Sequence, residues 1–410
     1  KSSMPQTPKL TSEDLQAVER EYCQRSLSNF VSRAWPILEP ATTYSHGKHI
    51  DAISEHLTAV DNGEIKNLLI NIPPRFMKSL LVAVFWPAWR WTFQPQSRWL
   101  FASYAQSLSI RDSLKMRRLI ESTWYQSLWG DVYQLTSDQN AKMRFENDKT
   151  GYRLSTAVGA AATGEGGDYI CVDDPHSAAG ANSQAQREST LTWWDETMST
   201  RTNNAKKSAK IIVMQRLHER DLSGHVLESG NYEHLCLPLE YEPERRCTTV
   251  IGWQDWRDEP GELLWPDRIG VDEVKEKQQE LGDYGYSGQY QQRPAPRGGG
   301  MFPVDKFNIT DYKPDNRDII ASIRYFDKAG TQGGGAYTAG VLMHRLKDGT
   351  FLIENVVRGQ WGALEREKRI RSTAEIDGHR VKVVVEQEPG SGGKESAENT
   401  IRQLAGFKVQ

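Results

Sequence analysis

The 410-residue chain lacks the features of membrane and secreted proteins. No apolar run approaches the roughly 20 residues that a transmembrane helix needs, and the polar N-terminal segment KSSMPQTPKLTSED does not resemble a signal peptide. The chain has only 4 cysteines, which lie far apart with no CxxC or Cys/His spacing. This pattern excludes a disulfide framework and a zinc site, and it predicts reduced thiols in a cytosolic, non-secreted protein.

The chain also lacks a large excess of charge of either sign. Its formal net charge is −3, so a surface that binds nucleic acid could only be a local patch. Two basic segments are candidates for such a patch, RDSLKMRR at 111–118 and KKSAK at 206–210. With 26% charged and 38% apolar residues, the composition is that of a globular chain of two or three domains with ample core material.

The glycines of a phosphate-binding loop are missing as well, although the rest of that motif is present. The segment LLINIPPRFMKS at 68–79 has the strand, the turn and the Lys-Ser pair of the pattern G-x-x-x-x-G-K-[ST], but Ile72 and Met77 stand in the glycine positions. Lys78 would place a cation at the β- and γ-phosphates of a nucleotide, and the Ser79 hydroxyl would bind Mg2+. On its own, the segment is equally compatible with an ordinary turn that carries a solvated lysine.

The residues around the Lys-Ser pair suit a phosphate site. The apolar segment SLLVAVFWPAW predicts a helix whose N-terminus lies behind the phosphates. Two prolines stiffen the turn, although each removes a backbone N–H donor, and Arg75 adds a second cation. The predicted nucleotide-binding residues are Pro74, Arg75, Phe76, Met77, Lys78, Ser79 and Asp173.

A second motif, DYICVDD, combines a short apolar strand with paired carboxylates. Asp173 and Asp174 have the Walker B arrangement, in which the first acid orients Mg2+ and the second polarises the attacking water. Asp174 stands where many such enzymes have glutamate, so its carboxylate reaches one methylene less far. The alternative is an aspartate-capped turn after a strand. The upstream strand, turn, Lys-Ser pair and helix favour the nucleotide site.

The order of the patterned segments predicts the fold of this part of the chain. Residues 11–60 are predicted to be helical, with Thr11 as an N-cap. Strands are predicted in LLINI, SRWLFASYA, YRLSTAV and DYICVDD, and in AKIIVM, which leads to Gln215 and Arg216. These segments imply a parallel sheet with its ligand-binding loops at the carboxyl ends of the strands. Gln215 and Arg216 would couple the state of the phosphates to motion.

The segment QQRPAPRGGGMF at 291–302 predicts a flexible linker or, alternatively, a surface loop. A new series of predicted strands and helices follows it. A strand ends near Asp327, two strands flank a Lys-Asp-Gly-Thr turn, a helix covers 363–375, and a further strand leads to Glu386. Acids at the ends of neighbouring strands indicate two-metal hydrolysis of a phosphodiester. A solvated surface carboxylate is the alternative for each acid alone.

Six segments resemble, in this order, the large terminase subunit of tailed bacteriophages: PPRFMKS, SYAQSLSIR, TGEGGDYICVDDPHS, VMQRLHERDLSG, LLWPDRI and SGQYQQRPAP. The resemblance covers most of residues 40–400 and implies an α/β fold. A P-loop NTPase domain of the RecA/ASCE type, with a parallel sheet, would occupy 1–293 with its helical N-terminal region. A linker at 294–304 would join it to a ribonuclease-H-like nuclease domain at 305–410.

The resemblance also implies a function and its residues. It implies a motor in which ATP hydrolysis drives double-stranded DNA into the procapsid, and an endonuclease that cuts concatemeric DNA. The implied catalytic residues of the chain are Arg75, Asp174, Gln215, Arg216, Asp327 and Glu386. The implied metal ligands are Ser79 and Asp173 for ATP-bound Mg2+, and Asp327 and Glu386 for Mg2+ or Mn2+ at the nuclease site.

The implied partners are double-stranded DNA, the portal protein and the small terminase subunit. The chain would act as a homo-oligomeric ring, in the host cytoplasm and transiently bound to the procapsid, with no membrane association. The third acid of the nuclease is expected beyond residue 410, so the nuclease domain would be incomplete at its C-terminus.

One departure from the family pattern leaves the source of a transition-state arginine open. Glu165 stands where the family often has a basic residue, so Arg75, Arg111 and Arg216 are all candidates, as is an arginine from a neighbouring subunit.

Two other functions remain open. A superfamily-2-type helicase or translocase would need a second RecA-like domain, and a non-enzymatic DNA-binding scaffold would explain the missing glycines.

Overall fold

The computed structural model describes residues 11–136, 142–160, 164–294, 307–329, 337–386 and 391–410. The chain divides into two compact units, Lys1–Pro303 and Val304–Gln410. Apart from residue 294, the predicted linker at 294–304 lies outside the described residues. Among the described helices, none combines the length and the apolar character that crossing a bilayer requires.

The first unit begins with three helices, α1 (Ser12–Arg25), α2 (Leu27–Leu38) and α3 (Lys48–Asp61). Thr11 caps α1: its hydroxyl accepts the N–H of Asp14, and the Asp14 carboxylate accepts the N–H of Thr11. This reciprocal pair satisfies two backbone donors that would otherwise lack partners. The predicted helical region and its N-cap are therefore confirmed.

The centre of the first unit is a seven-stranded sheet with the order β3-β4-β2-β5-β6-β1-β7. The strands are β1 (Asn67–Asn71), β2 (Trp99–Ser103), β3 (Arg144–Glu146), β4 (Tyr152–Ala157), β5 (Tyr169–Asp173), β6 (Ala209–Met214) and β7 (Glu233–Cys236). All neighbouring pairs are parallel except β3 and β4. Because helices cover both faces of such a sheet, its strands are apolar on both sides. The predicted α/β fold with a parallel sheet is confirmed.

The register of these strands aligns their carboxyl ends. Asn71 pairs with Met214, Val213 pairs with Asp173, and Asp173 pairs with Ser103. The strand β6 therefore lies between β1 and β5. As a result, the loops that follow β1, β5 and β6 meet at one edge of the sheet, where ligands bind in open α/β folds.

The helix after β1 is irregular. It runs through α4 (Lys78–Leu80), a π-helical turn (Leu81–Phe85) and α5 (Trp86–Arg90). The guanidinium of the fully buried Arg153 donates a hydrogen bond to the carbonyl oxygen of Ala83 within that turn. A π-helical turn interrupts the regular i to i−4 ladder, and a side-chain donor can then satisfy a carbonyl in it. The sequence predicted this helix but not its π-helical turn.

The remaining helices of the first unit cover the sheet and end the unit. They are α6 (Gln106–Glu121), α7 (Thr123–Trp129), α8 (Ala178–Asn182), α9 (Gln184–Trp193) with a π-helical turn (Trp194–Met198), α10 (Leu222–Glu228), a 3-10 turn (Pro243–Arg245) and α11 (Val271–Gln289). The largest hydrophobic cluster joins α2, α3 and the helix after β1 to one face of the sheet, where Trp99 stacks on Tyr169 at 4.0 Å. The helix after β1 is therefore fixed to the sheet by apolar packing.

The second unit has a four-stranded sheet with the order β10-β9-β8-β11. Its elements are β8 (Ile319–Asp327), β9 (Thr338–Leu346), β10 (Phe351–Gly359), α12 (Ala363–Asp377), β11 (Lys382–Val385) and α13 (Ser391–Gln403). The strands β8, β9 and β10 are antiparallel neighbours, whereas β11 is parallel to β8. The predicted hairpin and strand ends are confirmed. In its described part this unit is not a second parallel sheet, which the helicase alternative would require.

Candidate functional site

The loop after β1 adopts an unusual backbone conformation. Arg75 and Met77 have φ values of 70° and 63°, in the left-handed region that favours glycine. Ile72, the other residue in a glycine position, is not left-handed and is fully buried. Of the two missing glycines, only the one at Met77 therefore coincides with a left-handed backbone. The second left-handed residue, Arg75, follows the two prolines.

The left-handed conformation of Met77 has a measurable cost. It disfavours a residue with a Cβ by about 1–2 kcal/mol, and the greater freedom of glycine in the unfolded chain offsets about 0.5–1 kcal/mol of that difference. Met77→Gly and Met77→Ala both lose the packing of the Met77 side chain against the core. We therefore expect Met77→Gly to have a free energy of unfolding about 0.5–1 kcal/mol above that of Met77→Ala in urea titrations.

Leu80 provides the matched control, because its φ of −63° is right-handed. There the order should reverse, with Leu80→Gly less stable than Leu80→Ala by about 0.5–1 kcal/mol. Equal stabilities of the two Met77 variants would contradict the strained conformation of the loop.

Lys78 connects the loops that follow three strands. Its Nζ lies 3.0 Å from Oδ2 of Asp174 and donates a 2.6 Å hydrogen bond to Oε1 of Gln215. Lys78 is buried, and the Asp174 side chain is only 21% exposed, so the ion pair is largely shielded from solvent. The adjacent order of β1, β6 and β5 explains this contact, because the loops that carry the three residues leave neighbouring strands.

The two predicted acids differ in environment. Asp173 is buried, and its Oδ1 has no hydrogen-bond partner among the described residues. Burial raises the pKa of Asp173 to about 7, and the charge of Asp174 acts in the same direction, whereas Lys78 and a hydrogen bond from Ser79 oppose the rise. Asp174 has a φ of 43° and is thus a third left-handed residue at this edge. Residues in such conformations are concentrated at functional sites.

The residues around Asp173 fit a magnesium ion. The unpartnered Oδ1 of Asp173 and the hydroxyl of Ser79 are hard oxygen ligands. Among the described residues, no group of three or more His, Cys, Asp or Glu side chains could hold a metal. Mg2+ commonly takes one or two protein ligands and completes its octahedron with phosphates and water. A site that depends on a bound nucleotide is therefore compatible with these donors.

The described residues at this edge enclose a cavity of about 750 Å³. Its lining includes the predicted residues Pro74, Arg75, Met77, Lys78, Ser79, Asp173, Asp174 and Gln215. Phe76 does not line the cavity, because its side chain is fully buried and lies beside His49 and Trp265. The structure thus brings most of the predicted nucleotide-binding residues together around one space.

The candidate arginines occupy different positions. Arg75 and Arg111 line the cavity, and the Arg111 Nε donates a 2.9 Å hydrogen bond to Asp112. The guanidinium of Arg216 instead forms a buried ion pair with Asp221 at 3.0 Å and does not line the cavity. Glu165 lies 3.9 Å from Arg144. Gln215 and Arg216 are adjacent in sequence, but only Gln215 reaches Lys78.

Several cavity residues were not predicted from the sequence. Asp112 lies within the segment 111–118, where it is the one acid among four basic residues. Trp265, Asp267 and Arg268 belong to LLWPDRI, a segment whose sequence indicates no role in binding. Glu39 and residues 42, 43 and 45 extend the lining from the N-terminal helical region. A local motif does not reveal these residues, because tertiary packing brings them to the cavity.

In the second unit, the two predicted acids lie at the ends of neighbouring parallel strands. Phe326 pairs with Val385, and the N–H of Glu386 donates a 3.0 Å hydrogen bond to the Phe326 carbonyl oxygen. Asp327 and Glu386 therefore follow the paired residues side by side, and both are exposed. With no third acid, His or Cys grouped with them in the described residues, the two carboxylates do not fit a complete two-metal site.

Comparisons with known proteins found no matching family model and no matching curated protein. Among solved structures, the chain is similar to a large terminase of a thermophilic bacteriophage in complex with ADP, with 12% identity, a TM-score of 0.38 and coverage of 89% of this chain and 82% of that chain. It is also similar to the large terminase ATPase domain of Thermus phage P74-26, with 11% identity, a TM-score of 0.38 and coverage of 64% of this chain and 97% of that chain. The predicted resemblance is confirmed to that extent. A likeness at this TM-score carries no conclusion about activity.

Proposed function

We propose that the first unit hydrolyses ATP and that the chain is the motor of a DNA-packaging machine of the large-terminase type. The observation that carries the proposal is the contact of Lys78 with both Asp174 and Gln215. These residues follow β1, β5 and β6, as in the proposed P-loop NTPase fold of the RecA/ASCE type. A buried lysine with two exchangeable polar partners, beside an unpartnered carboxylate oxygen, suits a site that receives phosphates.

The polar groups around Lys78 and Asp173 have roles in this reaction. The Lys78 ammonium would exchange its present partners for phosphate oxygens, which releases Asp174 to accept a hydrogen bond from the attacking water. Ser79 and Asp173 would hold the Mg2+ that accompanies ATP. When bound, that ion neutralises charge on the phosphates. Arg75 and Arg111 remain candidates for the cation that stabilises the transition state, alongside an arginine from a neighbouring subunit.

Gln215 and Arg216 provide a route from the phosphates to the rest of the unit. Loss of the lysine contact at Gln215 would shift the turn that Arg216 anchors through Asp221, whose side chain also caps α10. The backbone N–H of Arg216 donates to Oε1 of Gln292, near the end of the described part of this unit. We therefore assign Arg216 a positioning role in the coupling of hydrolysis to motion.

The direct test is phosphate release from ATP by the purified chain, measured with and without double-stranded DNA. We expect Mg2+-dependent release that DNA accelerates. Absence of release above the buffer rate under both conditions would contradict the proposed ATPase and favour the scaffold alternative.

Double-stranded DNA is the proposed cargo, and it would be held mainly through its phosphates and thus without sequence preference. Lys206 and Lys207 of the KKSAK segment are exposed just before β6 begins, at the sheet edge opposite the cavity. We further propose that the chain acts as a homo-oligomeric ring on the procapsid, in the host cytoplasm. Its proposed protein partners are the portal protein and the small terminase subunit. These partners follow from the family resemblance.

The second unit is proposed to be a ribonuclease-H-like nuclease, joined to an ATPase domain at 1–293 through a linker at 294–304. The parallel pairing of β8 with β11, which places Asp327 beside Glu386, supports this assignment. We expect Asp327→Asn to abolish cleavage of concatemeric DNA in Mg2+ or Mn2+ and to leave ATP hydrolysis unchanged. Asp348→Asn, in the exposed turn after β9, is the control and should cut normally. Loss of both activities in Asp327→Asn would contradict two separate sites.

A further inference from the structure

The turn formed by LLWPDRI presents two charged residues to the cavity. Leu264, Trp265 and Ile269 are buried, whereas Asp267 and Arg268 are exposed and line the cavity. The N–H groups of Arg268 and Ile269 both donate to the Trp265 carbonyl oxygen at 3.0 Å, which closes the turn. Anchored apolar residues on both sides therefore fix the positions from which the charged side chains extend.

Aromatic packing connects this turn to the loop after β1. The Trp265 ring lies 6.0 Å from Phe76 and 4.7 Å from His49, and Phe76 lies 5.5 Å from His49. Phe76 directly precedes Met77 and Lys78 in the proposed phosphate loop. Because the three rings are buried and in mutual contact, the turn and the phosphate loop form one packed structure.

The cavity cations differ in whether they already have a partner. The cations that line it are Arg75, Lys78, Arg111, Lys115 and Arg268. Lys78 contacts Asp174, Arg111 contacts Asp112, and Lys115 contacts Glu39 at 2.7 Å. Among the described residues, neither Arg75 nor Arg268 forms an ion pair or a side-chain hydrogen bond. A triphosphate carries several negative charges, so these two guanidinium groups can meet it without breaking an existing contact.

We infer that Arg268 is a nucleotide-binding residue that contacts the phosphates of a bound nucleoside triphosphate from the same chain. The inference rests on the proposed ATPase function. It adds to the nucleotide site a cation that lies outside the two motifs that contain Lys78 and Asp173. Arginine suits this role because its planar guanidinium can form two parallel hydrogen bonds with phosphate oxygens. The packing of Trp265 against Phe76 and His49 fixes the turn from which the Arg268 side chain extends.

The test is a titration of the full chain with Mg2+-ATPγS by calorimetry, without DNA. Removal of a charge-assisted contact should weaken binding by about 10–100-fold in Arg268→Ala. Arg268→Lys should bind with intermediate affinity, because a lysine keeps the charge and loses the bidentate geometry. Arg118→Ala removes an exposed arginine of α6 that does not line the cavity, so it is the matched control and should bind like the wild type.

The outcomes separate this inference from the function on which it rests. The thermal midpoint of Arg268→Ala should equal that of the wild type, because the side chain is exposed. Wild-type affinity in Arg268→Ala, together with weakened binding in Lys78→Ala, would overturn the role of Arg268 and leave the ATPase standing. Failure of the wild type itself to bind Mg2+-ATPγS would overturn both.

Discussion

Replacement of Lys78 by alanine is expected to reduce the rate of ATP hydrolysis by about 10²–10³-fold, the effect of removing one buried electrostatic contact to the reacting group. Lys78 is buried and contacts both Asp174 and Gln215, which follow the two neighbouring strands. Its removal also takes away a cation that offsets the mutual repulsion of Asp173 and Asp174. Nucleotide affinity should therefore fall together with turnover.

Steady-state phosphate release measures this effect, with Lys149→Ala as the control. Lys149 is half exposed and, within the described part of the chain, forms an ion pair only with its neighbour Asp148, so its loss should leave hydrolysis unchanged. A Lys78→Ala protein with the wild-type rate would show that the loop after β1 is an ordinary turn. Circular dichroism would establish that both variants are folded.

Asp174→Asn should reduce kcat by about 10²–10⁴-fold, the usual contribution of a general base or water-positioning carboxylate. In contrast to Lys78→Ala, this variant should bind Mg2+-ATP at least as tightly as the wild type. The reason is that a neutral amide removes a negative charge from a cavity that receives phosphates. The expected result is therefore a loss of turnover without a loss of affinity, measured by single-turnover kinetics and calorimetry on the same protein.

Two further variants test whether the Asp174 carboxylate activates the attacking water. Asp174→Glu keeps the carboxylate and extends it by one methylene, so it should retain measurable hydrolysis. Asp272→Asn is the control, since that carboxylate is 95% exposed on α11. Equal rates in Asp174→Asn and the wild type would mean that another group activates the water.

The sequence patterns predicted the elements of this chain well because those elements have strong local signals. The apolar strand that ends in Asp173, the strand that leads to Gln215, the hairpin before β10 and the strand that ends at Asp327 all appear where predicted. The parallel arrangement of β1, β2, β4, β5 and β6 was also predictable, because a helix or a long connection separates each of these strands from the next. The short antiparallel strand β3 was not predicted. Turn residues and apolar periodicity are properties of short segments and do not depend on distant contacts.

The features that were not predicted depend on contacts between distant residues. The buried ion pair with Asp221 turns Arg216 away from the cavity, and nothing in the Gln-Arg dipeptide indicates this. The left-handed conformation of Arg75 depends on the whole loop. Arg268 reaches the cavity from a turn in which Trp265 packs against Phe76, a residue 189 positions earlier in the sequence. Side-chain partners of this kind follow from the fold and not from a motif.

The central claim is that the cavity at the carboxyl edge of the seven-stranded sheet hydrolyses ATP. The most direct measurement is a single-turnover assay with γ-labelled ATP, in which the protein is in excess and Mg2+ and double-stranded DNA are present. The proposed mechanism predicts that the wild type converts bound ATP to ADP and phosphate, and that Lys78→Ala and Asp174→Asn do not within the same time. Intact ATP recovered from the wild type, or equal rates in all three proteins, would contradict it.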